Sequence, residues 1–219
     1  YHRIHVPKFT VLPRRRRIRR PPDLSFPLIV KSVNVEGSIG ISKASLVHDD
    51  EHFQERVKFI HESLETYAIA EQYIEGRELY VGVIGNLRLA TLPVWELVWD
   101  KAPEDMPRFT TRRAKSDSGY QRKWGIATRH AEGLGRDFQE SLAHLCKRIY
   151  RIMGCSGYAR MDFRMAGDGQ VYLLEANPNP QLGLGDEFAE SAAHAGIGYD
   201  RLLTRIVKLG LSYEPQSLT

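Results

Sequence analysis

Two cysteines, Cys146 and Cys155, are all that the 219 residues contain. That is too few for a disulfide scaffold, and neither has neighbours at metal-ligand spacing, so a reduced, cytoplasmic setting is expected. No run of about 18 apolar residues exists, so no membrane-spanning helix and no membrane partner is expected. The first residues, Tyr1-His2-Arg3-Ile4-His5, lack both an initiating Met and the apolar stretch of a secretory signal, and the start reads as a fragment boundary. There is no Gly-x-x-x-x-Gly-Lys-Ser/Thr loop and no Gly-x-Gly-x-x-Gly fingerprint, which removes two common nucleotide-binding designs. No internal repeat is present, and none of the eight histidines is assigned a catalytic role.

What is present is an ordinary soluble composition, 42% hydrophobic and 26% charged, enough for one large domain or two small ones. The net charge is +4, but six arginines fall in Arg14-Arg15-Arg16-Arg17-Ile18-Arg19-Arg20, and +4 less those six leaves −2 for the rest. The basicity is local. A charge run ending in Pro21-Pro22 suits an exposed loop, and polyanion binding is the functional alternative. No aromatic interleaves the arginines, which argues against stacking on single-stranded bases.

The periodicities predict an α+β chain. Short strands are expected at residues 7–12, 26–31 and 41–47, and from Tyr67 to Ile74. Asp49 or Asp50 should cap a helix whose inner face is Phe53, Val57, Ile60 and Leu64. Residues 79–84 and 87–92 flank Gly85-Asn86, a two-residue hairpin signal. The polar span 100–124 reads as a long loop or lid. Helices follow at 137–153, 186–195 and 199–209. The first carries Phe138, Leu142, Leu145, Cys146 and Ile149 on one stripe, with Cys146 a core residue. The domain boundaries expected are 1–25 for an N-terminal strand and arginine loop, 26–100 for a central subdomain and 101–219 for a C-terminal one.

The most informative stretch is Tyr158-Ala-Arg-Met-Asp-Phe-Arg164 and Val171-Tyr-Leu-Leu-Glu-Ala-Asn177, joined through Asp168-Gly169, a two-residue turn signal. A hairpin folded symmetrically there sets Asp162 opposite Glu175 and Arg160 opposite Asn177. Side chains alternate across a sheet, so Ala159, Met161, Phe163, Leu174 and Ala176 should face the core. Arg160, Asp162, Glu175 and Asn177 should share the other face, with Leu173 and Tyr158. Two facing carboxylates repel unless one is protonated, both are solvated, or a cation lies between them. Two carboxylates and an amide oxygen are hard ligands suited to Mg²⁺. The competing reading is a solvent-facing hairpin with Arg160 neutralising Asp162. Elsewhere, Lys31 ends an apolar strand before Glu36-Gly-Ser-Ile-Gly40, a phosphate-binding combination that is weak alone. Glu71 interrupts an apolar strand, as an edge-strand carboxylate or as part of a surface for adenine and ribose.

In this order, Val30-Lys31, Glu36-Gly-Ser-Ile-Gly40, Glu71-Gln-Tyr-Ile74, Leu92-Pro-Val-Trp-Glu-Leu97, Gly157-Tyr-Ala-Arg-Met-Asp162 and Leu174-Glu-Ala-Asn-Pro178 resemble the ATP-grasp superfamily, particularly D-alanine–D-alanine ligase-like members. The resemblance covers roughly residues 5–210. It implies two α+β subdomains gripping ATP, and a ligase that activates a carboxylate as an acyl phosphate for attack by an amine, both small-molecule substrates. It also implies roles. Lys31, and Lys115 in Arg113-Ala-Lys115, would contact the phosphates, with Ser38 and its glycines covering them. Glu71, Tyr73 and Ile74 would hold adenine and Glu78 the ribose. Asp162, Glu175 and Asn177 would hold two Mg²⁺ ions, for which Mn²⁺ can substitute. Arg160 and Ser38 would serve catalysis.

The resemblance further implies an N-terminal domain outside this sequence, and a homodimer is among the expected assemblies. A non-catalytic nucleotide-binding module is the alternative on the same fold. Nucleic acid is not an expected partner of the ligase reading. The chain departs from the pattern at Asp186 and Glu187, where D-alanine ligases have small hydroxyl residues for a substrate carboxylate. That change disfavours D-alanine as acceptor; an amine-rich acceptor is one alternative, and a helix N-cap at Asp186 is the preferred reading.

Overall fold

The computed structural model describes residues 2–34, 40–104 and 106–213. Along the chain run β1 (Phe9–Leu12), β2 (Leu28–Ser32), a 3₁₀ turn (Lys43–Ser45), β3 (Leu46–Val47), α1 (Asp50–Ser63), β4 (Ala68–Gln72), β5 (Arg77–Ile84), β6 (Ala90–Thr91), β7 (Trp95–Trp99), α2 (Arg112–Ser116), α3 (Ser118–Trp124), β8 (Ile126–His130), α4 (Arg136–Ile152), β9 (Tyr158–Met165), β10 (Val171–Asn177), α5 (Glu187–His194) and α6 (Tyr199–Leu211). The expected α+β class is what the chain forms. No helix among the described residues is long and apolar enough to cross a membrane.

The chain divides into two compact units that are not contiguous in sequence. One, here the ribbon unit, comprises Tyr1–His5, Gly76–Val98 and Ala127–Thr219; the other, the arginine-loop unit, comprises Val6–Glu75 and Trp99–Ile126. The contiguous blocks 26–100 and 101–219 drawn from the sequence group the residues differently.

The arginine-loop unit is built on the antiparallel sheet β1-β4-β2-β3. Asp49 caps α1 by accepting from the His52 backbone N–H at 2.8 Å. Phe53, Val57 and Ile60 then recur on one side and are fully buried against Leu28, Val30, Ala68 and Ala70. The strand expected over 41–47 is only Leu46–Val47; Ser42 and Ser45 cap a 3₁₀ turn instead, each side chain taking the other's backbone N–H. The lid expected over 100–124 contains α2 and α3. Thr111 and Asp117 accept from Ala114 and Tyr120 backbone N–H groups, and Gly125 ends α3 in the left-handed region. Helices of five and seven residues are too short to show a periodic stripe, which is why only their caps mark them.

The ribbon unit holds the sheet β10-β9-β5-β7-β8, with β6 paired to β5. Leu79, Val81 and Val83 of β5 and Ala159, Met161 and Phe163 of β9 point to one face. There Leu142, Cys146, Ile149 and Tyr150 of α4 cover them, and all ten are buried. The opposite face is apolar at one end, where Ile84 and Leu92 meet Phe188, Ala189 and Ala192 of α5 and Leu202 of α6. The rest of that face is polar. The two-residue turn expected at Gly85-Asn86 is longer: Ile84 pairs with Ala90 and Val83 with Thr91. Asn86 is drawn out of a tight turn, its amide donating to the Leu209 carbonyl and its oxygen accepting from Gly157 N–H.

Candidate functional site

The β9–β10 ribbon aligns as expected where it matters, by an unexpected route. Ala166 N–H donates to the Gln170 carbonyl and Gly169, at φ +83°, returns to the Ala166 carbonyl, so the turn has three residues, 167–169. Near the turn Val171 faces Met165 and Leu173 faces Phe163; an irregularity between Leu173 and Glu175 then shifts the register, and Glu175 faces Asp162, with Asn177 opposite Arg160. The extra residue is Leu174, a β-bulge. It exchanges the two leucines: Leu173, not Leu174, packs with Val171 and Ala176 against the core.

With β5 on the other side of β9, the polar face becomes three rows across three strands. They read Asn177–Arg160–Gly82, Glu175–Asp162–Tyr80 and Tyr172–Arg164–Glu78. The charges are matched in detail. Arg160 donates to both Asp162 oxygens at 2.7 and 2.8 Å, and lies 4.8 Å over the Tyr80 ring. Arg164 donates to Glu78 at 2.8 Å, and Tyr80 donates to the other Glu78 oxygen at 2.8 Å. Asp162, Glu78 and Arg164 are buried, whereas Glu175 is exposed and Asn177 half-buried.

Burial pushes the Asp162 carboxyl up to about 6, opposed by Arg160 and reinforced by the charges of Glu175 and Glu78. Burial works against the Arg160 cation, but the hydrogen bond and charge of Asp162, with Glu187 adding, hold it above the usual range. Burial, with Glu78 and Asp162 nearby, raises the Tyr80 phenol well above its ordinary value, so it remains a donor.

A glycine positions the helix beside these rows. A Cβ on Gly82 would lie 2.7 Å from Leu92 Cδ1 and 2.9 Å from Phe188 Cε2. The missing methyl lets Phe188 sit on the sheet, and its neighbour Glu187, the first residue of α5, reaches Arg160 at 3.4 Å. Asp186 stands at the N-cap position, but its side chain makes no capping bond.

The arginine-loop unit carries the other expected site residues. Lys31 of β2 and Glu71 of β4 pair at 2.6 Å, both partly exposed. Tyr73 lies edge-on to Phe109 and takes the Arg108 backbone N–H on its hydroxyl at 3.2 Å; Ile74 is buried. Lys115 is exposed on α2. Ser38, with Glu36, Gly37 and Ile39, lies outside the described residues. Gly40, where the description resumes, has its carbonyl held by Arg56, which also donates to Ser45 at 2.9 Å.

Sequence reasoning missed Arg56, Arg164 and Tyr80. For Arg164 a signal was available: Arg160, Asp162 and Arg164 alternate on one face. Arg56 lies on the buried side of α1 among apolar neighbours, where its charge hid it.

Among the described residues no group of three or more His, Cys, Asp or Glu side chains is placed to hold a metal. His48 and His52 stand four apart, but His48 precedes α1 and His52 is engaged by Asp49. The donor set of Asp162, Glu175 and Asn177 still fits Mg²⁺, which needs only one or two carboxylates alongside substrate phosphates. Asp162 keeps lone pairs beyond those Arg160 uses, and the Asn177 oxygen accepts one bond, from Asn179 N–H at 2.9 Å.

The architecture is that of ATP-grasp ligases. The chain superposes on a Bacillus anthracis D-alanine–D-alanine ligase structure complexed with ATP with a TM-score of 0.74 at 21% identity, over 95% of this chain and 61% of that one. It also superposes on VanG, a D-Ala:D-Ser ligase of Enterococcus faecalis, with 0.71 at 19%, over 95% and 57%. Residues 3–208 match the family model described as D-ala D-ala ligase C-terminus, and the chain belongs to that family. It is 33% identical to a Desulfotalea psychrophila D-alanine–D-alanine ligase across 86% of this chain and 55% of that protein. For the Bordetella petrii D-alanine–D-alanine ligase the figures are 32%, 94% and 59%. The chain therefore spans little more than half the length of these relatives.

Proposed function

We propose that this chain is the ATP-binding, phosphoryl-transferring part of a carboxylate–amine ligase. The observation that carries the reading is Asp162 held in register opposite Glu175, with Arg160 bound to Asp162, in a chain matched along nearly its whole length by the ligase family. ATP as the nucleotide is supported by the ATP complex of the Bacillus anthracis ligase.

A carboxylate is a poor electrophile. Its oxygen attacks the γ-phosphorus of ATP, ADP leaves, and the acyl phosphate has phosphate as a good leaving group. An amine nitrogen then attacks the carbonyl carbon, inorganic phosphate departs and the nitrogen loses a proton. The protein's part is positioning and charge stabilisation. Asp162, Glu175 and Asn177 would hold Mg²⁺, which neutralises charge on the phosphates when bound. Arg160, its cation secured by Asp162, stabilises charge on the transferring phosphoryl group and on the tetrahedral oxygen. In the arginine-loop unit, Lys31 and Lys115 would contact phosphates with Ser38, and Glu71, Tyr73 and Ile74 would hold adenine. Glu78, which would hold the ribose, accepts from Arg164 and Tyr80. Glu187 beside Arg160 places negative charge where a carboxylate acceptor would be repelled, which favours a cationic amine.

The test is amine-dependent release of ADP and phosphate by the full-length protein, across a panel of amines. Glu175→Gln should abolish Mg·ATP-dependent turnover while the unfolding midpoint stays put, because the side chain is exposed. Normal turnover in that variant would remove the metal assignment and with it this reading.

A further inference from the structure

The six arginines between β1 and β2 look equivalent in the sequence, but the structure divides them. Arg14 donates to the Glu65 carbonyl at 2.9 Å. Arg20 holds both Asp50 oxygens, donates to the Leu24 carbonyl at 2.6 Å and lies 4.5 Å over the Phe26 ring. Ile18 packs against the core of the arginine-loop unit. Three residues therefore pin the segment to its own unit. The other four, Arg15, Arg16, Arg17 and Arg19, are exposed, and among the described residues no hydrogen bond, ion pair or ring contact engages their guanidinium groups. Arg15 even adopts φ +61°, a conformation a non-glycine residue rarely takes.

Intramolecular stability gives no reason for four unpaired charges fixed side by side, and their mutual repulsion is a standing cost. Two of them, Arg17 and Arg19, also border a recess of about 450 Å³ lined further by Arg20 and Gln54 over Ile18 and Phe53. Asp50, at its rim, is already neutralised by Arg20. One planar carboxylate is satisfied by a single guanidinium fork, whereas guanidinium groups closing on a recess from several directions suit tetrahedral phosphate oxygens. The chain turns over residues 14–16, so Arg15 and Arg16 lie outside the recess that Arg17 and Arg19 line, and four separate cations suit a series of phosphates better than one.

We propose that this arginine segment is a second binding surface, separate from the ligase chemistry, that grips the phosphodiester backbone of a nucleic acid without reading its bases. One phosphate sits in the recess and its neighbours lie along Arg15 and Arg16. The absence of an aromatic side chain among the arginines fits backbone recognition and excludes a base-stacking platform.

The experiment is fluorescence anisotropy of a labelled duplex of arbitrary sequence with the full chain, as a function of NaCl. Four released counterions give a slope of about −3 to −4 in log affinity against log salt, so binding should fall roughly 100-fold between about 50 and about 200 mM. Replacing Arg15, Arg16, Arg17 and Arg19 together by Ser should remove that binding and flatten the slope. The unfolding midpoint should not fall, since all four are exposed and none has a polar or ring partner among the described residues. A Lys replacement of the same four should keep the slope and lose part of the affinity. Three results would overturn the proposal. They are no duplex binding at low salt, equal binding by the Ser variant, or displacement of the duplex more readily by polyglutamate or by inorganic phosphate than by unlabelled duplex.

Discussion

Two charge pairs, one in each unit, are built on opposite terms. In the ribbon unit Arg164 and Glu78 are 6% and 9% exposed; in the arginine-loop unit Lys31 and Glu71 are 29% and 19% exposed. Both are ion pairs across neighbouring antiparallel strands. The first is a guanidinium held dry and further bonded by the Gly76 carbonyl and, through Glu78, by Tyr80. Among the described residues the second is a single ammonium–carboxylate contact that water reaches. A buried pair fixes geometry and is costly to break, whereas a wet pair can be given up to a ligand at little cost. The ribbon unit reads as a rigid platform, and Lys31 as a residue whose present partner is a placeholder.

Breaking the dry pair should have the largest effect. Arg164→Met leaves Glu78 buried and uncompensated and should cost about 3–5 kcal/mol in chemical denaturation. Adding Glu78→Gln should recover much of it, because no charge is then stranded. Gly82→Ala comes next. Its methyl would overlap Leu92 and Phe188 and should cost about 1–3 kcal/mol in unfolding free energy, with Phe188→Leu partly restoring it. The smallest effect belongs to the wet pair. Lys31→Met should cost less than about 1 kcal/mol, a difference that fades in about 1 M NaCl, while weakening nucleotide binding measured by calorimetry. A Lys31→Met loss as large as that of Arg164→Met would erase the contrast.

Strong periodic signals translated directly. The stripe Phe53, Val57, Ile60 and the Asp49 cap gave α1, and the alternation Ala159, Met161, Phe163 gave a buried strand face. What failed was local and short. The turns at Gly85-Asn86 and Asp168-Gly169 are longer than their dipeptides suggest, because Asn86 is used by Leu209 and Gly157, and Gly169 closes a three-residue turn. β7 and β8 went unread because Trp95–Trp99 and Ile126–His130 are short and lie beside irregular chain. The order of the motifs was legible as a family resemblance, and residues 3–208 match the family model. The partners of the site residues were not legible, since Arg164 meets Glu78 only once β5 and β9 lie side by side. Nor does spacing show how residues 76–98 and 127–219 come to share one unit.

The bulge at Leu174 separates two things that a regular hairpin would tie together. Before it, odd-numbered residues of β10 face inward; after it, even-numbered ones do. Removing Leu174 would therefore leave Leu173 opposite Phe163 and Glu175 opposite Asp162, while straightening the strand. Such a deletion changes curvature at constant alignment, and it offers a way to ask whether the ligase chemistry depends on where the ribbon's acidic face is aimed or only on which side chains it pairs.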